Sequence, residues 1–268
     1  MSYIILLKYV QVKNANVLSS NYAVTPMPLM AVGAFSHLLA LRSESNCTGF
    51  AVIHHNSRYN AESDIFSGFK VTGFQQFRSA MYIDNKDHTA GNSSSRLSPL
   101  SLQPVAHEAL TVSLLIECSS RPDLDLIKDH MRSARIAGGD VVSYSSAEVF
   151  NSSDDALDLN IPANGFWFID RRDLVDENDP ATSLINALGS REESWILPVV
   201  PGYALTTDLE SNVPGVRLLP DLEPMDHAYA EPLLGLGQYV SIRQFDGDTP
   251  FWRASWITDS IYIFQNNN

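Results

Sequence analysis

Apolar positions along the first 145 residues change period in a regular order. From Tyr3 to Val12 they occupy both alternating faces, which predicts a central strand covered on both sides at its start, with Lys8 marking where one face opens. Asn14-Ala-Asn16 and Ser19-Ser20 follow, residue types whose short side chains hydrogen-bond nearby backbone and favour turns. Pro26 and Pro28 then hold the chain extended. From about Ala31 to Arg42 the spacing shifts to three and four, with Val32, Phe35, Leu38 and Leu39 on one face, and predicts a helix. His37 projects from the opposite face, where a lone histidine is ordinarily a solvated side chain and the alternative is contact with a partner or nucleic acid.

Gly49 to His55 reads as a second strand that leaves its sheet at His54-His55. Periodicity weakens from Ser57 to Pro104, where Gly91-Asn-Ser-Ser-Ser95 resembles a flexible tip, so this stretch is expected to be an inserted long hairpin. His107 to Cys118 alternates cleanly as a third strand. A second helix is predicted from about Pro122, with Ser120 and Asp123 as cap and Leu124, Ile127, Met131 and Ala134 as apolar stripe, ended by Gly138-Gly139. Arg132 and Arg135 would then sit in its last turns, where positive charge complements the helix dipole. Strand, helix, strand, insertion, strand, helix matches an α+β, ferredoxin-like βαββαβ unit, whose fourth strand is supplied by 141–144 or by 165–170. Apolar runs at 195–203, 238–245, 251–253 and 261–264 predict further strands of the same or a second sheet.

At 268 residues and 44% hydrophobic, the chain is long enough for one large domain. Its net charge of −13 argues against a nucleic-acid partner until the distribution is considered. Residues 1 to 135 carry 12 Lys/Arg against 10 Asp/Glu, and residues 136 to 268 carry 6 against 21. One half is therefore compatible with a phosphate backbone and the other repels it; an unevenly charged ordinary surface is the plainer alternative. Asp154 to Asp179 holds eight of the acidic residues, offset only by Arg171-Arg172, and is expected to be a solvated, partly mobile surface. Cys47 and Cys118 are spaced for no metal motif and predict two reduced thiols in a cytosolic protein. No signal peptide and no membrane-spanning run is visible.

The insertion interleaves aromatic and basic residues, among them Arg58, Phe69, Lys70, Phe74, Phe77 and Arg78. That mixture suits single-stranded nucleic acid, with rings on bases and cations along phosphates, and equally a hairpin whose rings pack on the main core. No Walker loop, nucleophile elbow, His-Glu-x-x-His or Cys-x-x-Cys is present. A metal-independent ribonuclease using His54 or His55 as general base is the catalytic alternative.

Ordered landmarks then carry a resemblance. Asn14-Ala-Asn16 with Ser19-Ser20, Ala34-Phe35-x-His37 with Leu39, and Gly49-Phe-Ala-Val-Ile-His54 are similar to the amino-terminal strand-helix-strand of the Csy-type (type I-F) CRISPR surveillance-complex subunit that holds the guide RNA 5′ end. Leu110 to Leu115, Arg135-Ile-Ala-Gly-Gly139, Pro198-x-x-Pro201-Gly-Tyr203, Glu231-Pro-Leu-Leu-Gly-Leu-Gly237 and Phe251-Trp-Arg253 continue the series. The chain departs from typical members in being shorter and more acidic between Asp154 and Trp195.

The resemblance implies one RAMP-superfamily domain, a modified RNA-recognition motif, over residues 1–268, with a hairpin insertion at 57–104 and an acidic insertion at 150–194. It implies a non-catalytic cytoplasmic subunit without cofactor or metal. Its partners would be crRNA, the other effector subunits and, through the complex, target DNA. A backbone subunit coating the guide spacer is the sister role within the superfamily. RNA-facing residues carried over on this basis are Asn14, Asn16, Ser19, Ser20, His37, Arg42, Arg132, Arg135 and Arg253. Gly138-Gly139 and Gly235-Leu-Gly237 would be loops that let backbone approach the RNA. Each of these glycine pairs reads equally well as a packing turn.

Overall fold

In the computed structural model, residues 2–20, 23–66, 69–74, 106–152, 155–190, 195–209 and 226–266 are described. Along them run β1 (Tyr3–Asn16), β2 (Leu18–Ser20), β3 (Ala23–Val24), α1 (Leu29–Arg42), β4 (Cys47–Tyr59), β5 (Ala61–Phe66) and β6 (Phe69–Phe74). Next come β7 (His107–Cys118), α2 (Leu124–Met131), β8 (Arg135–Ile136), β9 (Gly139–Ser143), β10 (Ser146–Asn151) and α3 (Asp155–Asn160). The chain continues through β11 (Phe166–Asp170), a 3-10 turn (Arg172–Leu174), α4 (Pro180–Gly189), β12 (Ile196–Leu205), β13 (Ala230–Ser241), β14 (Trp252–Thr258) and β15 (Ile261–Asn266).

The double-sided apolar run places β1 at the heart of the sheet. Ile5 and Leu7 enter the larger core beneath α1 and α2, while Ile4 and Leu6 enter a smaller one on the opposite face with Leu157 of α3. Full burial of such side chains stabilises the fold by about 1.5–3 kcal/mol each. Neighbouring strands are antiparallel, in the order β11-β13-β12-β15-β14-β4-β7-β1-β9-β8, with β10 also on β1. Within that order β9-β1-β7-β4 takes its strands from the first 143 residues, so of the two candidates it is 141–144, through β9, that lies beside β1, together with β10. The other candidate, 165–170, is used elsewhere: β11 pairs with both β13 and β4.

That second pairing closes a ring of six strands, β4-β14-β15-β12-β13-β11. Aromatic side chains gather on its buried side. Phe168 stacks on Trp252 with ring centres 5.6 Å apart, and the Trp252 indole N–H donates to the Phe168 carbonyl at 2.9 Å. Gly237 leaves the space the Phe168 ring occupies, since a Cβ there would lie 2.2 Å from that ring. The carboxyl-terminal runs thus join the same sheet as β1 rather than forming a second one.

Several expectations are corrected. The segment from Asn14 to Ser20 is not a turn: Asn14 and Asn16 end β1, and Ser19 and Ser20 lie in β2. Asn14 adopts φ +60° where the β1–β7 register shifts between Val12 and Ala15, so the turn-forming residue serves as a bulge. Leu38 is exposed, and Gly33, Ser36 and Ala40 complete the buried face of α1 with Val32, Phe35 and Leu39. His54 and His55 lie within β4, which continues to Tyr59. Asp123 alone caps α2, accepting from the Asp125 and Leu126 amides, while Ser120 pairs with Ser45. The helix ends at Met131, so Arg135 sits on a strand, and Ala137-Gly138 form the turn of the β8–β9 hairpin. The acidic stretch supplies a strand of the main sheet, β11, as well as α3, whose Leu157 is buried in the smaller core.

Candidate functional site

At one end of the sheet the terminal part of β1, the start of α1, the β8–β9 turn and β12 surround an open cleft of about 600 Å³. Its size falls in the range of small-molecule and nucleotide sites. Asn16, Ser19, Met30, Ala31, His107, Gly138 and Tyr203 are among its lining residues. Three of the sequence-derived candidates, Asn16, Ser19 and Gly138, are therefore brought together.

Local chemistry explains the shape. Ala137 and Gly138 both take left-handed backbone angles, φ +50° and +72°, as a two-residue hairpin turn of this hand requires. Gly139 lets the hairpin lie directly on β1, because a Cβ there would approach Ala15 N and Lys13 O to 2.6 Å. The Ala137 carbonyl accepts from the Asn16 amide at 2.8 Å, and the Asn16 side-chain oxygen accepts from the Leu18 amide at 3.1 Å, fixing the turn against the strand end. On the other wall, α1 begins after Pro28 with no side-chain cap and no acidic residue in its first turn. First-turn amides of a helix lack intrahelical acceptors; here the Met27 carbonyl takes the Leu29 amide at 2.8 Å, and the helix dipole adds a partial positive charge at the same end. Ala31 and Met30 of that turn face the cleft. A phosphate or carbonyl oxygen is the group this wall suits. His107 lines the same opening, and burial lowers its imidazole's affinity for a proton.

The remaining candidates lie elsewhere. Ser20 is buried beside the cleft, and Asn14 is outside it, accepting from the Asn60 side chain at 3.1 Å. His37 and Arg42 are exposed along α1; Arg42 ends that 14-residue helix, roughly 20 Å from its start at 1.5 Å per residue. Arg132 pairs with Asp129 at 3.2 Å and Arg135 with Asp140 at 2.9 Å, both on the exposed surface. Arg253 bonds the Glu117 carboxylate and, at 3.0 Å, the Thr48 carbonyl, tying β14 to β4 and β7. Gly235 and Gly237 lie inside β13, not in a loop: they accommodate Pro201 and Phe168. Arg58 is exposed on β4. Phe69, Lys70 and Phe74 fall on β6, opposite Phe66, Ile65 and Ala61 of β5, as a hairpin predicts. Phe77, Arg78 and the Gly91 to Ser95 tip lie outside the described residues.

Met30, Ala31, His107 and Tyr203 were not singled out by sequence reasoning. Pro28 before the helix and Pro201-Gly-Tyr203 were the available signals, but only the fold juxtaposes them.

Neither His54 nor His55 lines the cleft. The His54 ring packs on Tyr239 at 4.5 Å, and its Nε2 is buried without a hydrogen-bond partner among the described residues. Burial, and secondarily the neighbouring His55, lowers its pKa to about 4. His55 Nε2 bonds the Ser113 hydroxyl at 2.7 Å, which also accepts from the Tyr9 amide at 2.9 Å, and so supports the bulge at Tyr9. Among the described residues no group of three or more His, Cys, Asp or Glu could hold a metal ion, and no helix is long and apolar enough to cross a membrane.

Sheet, helices and cleft define a mixed α/β protein built on one large antiparallel sheet with a ligand-sized opening at its end. The model for the family described as CRISPR-associated protein (Cas_Csy2) matches residues 5–263, and the chain belongs to that family. It is accordingly a Csy-type, type I-F CRISPR-associated subunit. No curated protein matches the sequence.

Proposed function

We propose that this chain is a non-catalytic RNA-binding subunit of a type I-F effector complex, holding the crRNA 5′ handle and helping assemble the complex for DNA target recognition. The observation that carries the reading is the cleft. It combines a helix start without a side-chain cap, a left-handed hairpin turn and the Asn16 and Ser19 side chains at an opening with no carboxylate among its described lining residues. Such a wall recognises phosphate, ribose hydroxyl and base edges through backbone and neutral donors, and needs no cluster of lysines.

The strand order β9-β1-β7-β4, with α1 and α2 in the same core, supports a ferredoxin-like RAMP framework for this half. Apart from the β8–β9 turn and β12, which line the cleft, the acidic second half then faces solvent or protein. The test is a titration of the purified chain with handle-bearing RNA and with a scrambled RNA of equal length. Tighter binding of the handle by tenfold or more is expected. Equal affinity for both, or cleavage of the RNA without added metal, overturns the reading.

A further inference from the structure

On the sheet face opposite α1 lies a second opening, about 300 Å³, lined in part by Asp158, Ile161, Trp167, Ile242, Phe245 and Thr249. Trp167 is nearly buried and belongs to the smaller core, so the floor of this pocket is fixed by the sheet itself. We infer that this pocket is a protein-docking site whose occupant is a single Lys or Arg side chain of a neighbouring subunit.

Charge and shape together choose that occupant. Asp158 lines the pocket, and Asp246 and Asp248 flank the lining residue Gly247; all three are exposed. Among the described residues no ion pair joins any of them to a cation. The Arg243 guanidinium, beside the lining residue Ala163, is directed to the Asn164 side chain at 2.8 Å and to the Ala163 carbonyl at 3.4 Å. An acidic mouth over an apolar, aromatic floor fits an aliphatic stem that carries its charge at the tip. Cations also favour the faces of aromatic rings, and Trp167 and Phe245 both line this pocket. A phosphate backbone is repelled by the same rim. A purely apolar side chain would gain nothing from the charge of that rim.

The inference rests on the chain's working within an assembly, so its test starts from the assembled, RNA-containing complex. Thr249 is replaced by the photo-crosslinking residue p-benzoylphenylalanine, the complex is irradiated, and the adducts are sequenced by mass spectrometry. The expected adduct is a peptide of another subunit containing Lys or Arg beside the crosslink. The charge reversals Asp158→Lys and Asp246→Lys together should lower the salt concentration at which the chain leaves the complex at least twofold. Their thermal midpoint and handle-RNA affinity as free protein should stay unchanged. Adducts to RNA, to a second copy of this chain or to no other molecule in an intact complex overturn the inference, as does unchanged salt resistance of the double variant.

Discussion

The two halves of the chain contribute strands to one sheet but solve different problems. In the amino-terminal half β1, β4 and β7 are packed on both faces, and residues such as Ile4 to Leu7 and Leu114 to Ile116 are wholly buried. In the carboxyl-terminal half the strands close a ring around Trp252 and Phe168 while leaving Trp195, Trp256, Ile257, Tyr229 and Ile185 well exposed. The first half is built as a core and supplies most of the cleft lining. The second half completes that core with one layer of residues and presents the other to its surroundings, in a field set by 21 acidic against 6 basic residues. Exposed aromatic and aliphatic groups in an acidic surface are what an assembly subunit offers to a basic neighbour.

Two tryptophans four residues apart on β14 test this division most sharply. Trp252 is fully buried and hydrogen-bonded at the seam between the halves, opposite Phe50 of β4. Trp252→Ala should cost ~3–5 kcal/mol of stability, from the cavity and an orphaned carbonyl. Trp256, 57% exposed, should change stability by under ~0.5 kcal/mol on the same replacement. Urea titration of both variants decides the matter; comparable losses would mean the outer layer is also structural.

Glu108 provides a smaller, pH-dependent probe of the same seam. It is wholly buried on β7, and burial pushes its carboxyl up to about 9, against a smaller opposing pull from the Ser57 hydroxyl. The same carboxyl contributes to raising the Tyr239 hydroxyl of β13, after that group's own burial. Because the folded pKa lies above the unfolded one, folding takes up a proton between about 4.5 and about 9. The contribution to stability is full below that window and is lost as pH rises through it. Glu108→Gln should therefore raise the thermal midpoint more at pH 8 than at pH 5. A gain independent of pH would place the carboxylate in water.

Charge near the cleft is expected to matter least. Arg132 and Arg135 each face an aspartate of their own segment in the open, where such pairs contribute ~0–1 kcal/mol, and neither lines the cleft. Replacing both with Ala should change handle-RNA affinity less than threefold. A larger loss with a reduced salt slope would move the guide path onto α2 and β8.

What could be read from sequence follows from how local each cause is. The β1 run, the span of α1 and the limits of β7 depend on side-chain period alone, and the structure agrees with them to within a few residues, although Leu38 of the expected α1 stripe is exposed. Gly138-Gly139 was legible as a chain reversal, but not as a hairpin turn, because Ala137 takes a left-handed angle that Ala does not advertise. The roles of Gly235 and Gly237 were misread because only the fold brings Pro201 and Phe168 against them. One side of the cleft was visible as Asn16, Ser19 and Gly138. The other side comes from α1 and β12, separated from them by long stretches of chain, and its most useful group is a helix start whose donors belong to the backbone and carry no residue code.

That helix start is the direct test of the proposed function. Ala31→Asp places a carboxylate in the first turn of α1, where it complements the dipole and should hold or raise the thermal midpoint by up to ~1 kcal/mol equivalent. The same carboxylate enters the cleft and competes with phosphate. Fluorescence anisotropy of handle-bearing RNA should then show affinity reduced tenfold or more in a protein at least as stable as the parent. Unchanged affinity in that stable variant would contradict the account and remove the cleft from the RNA site.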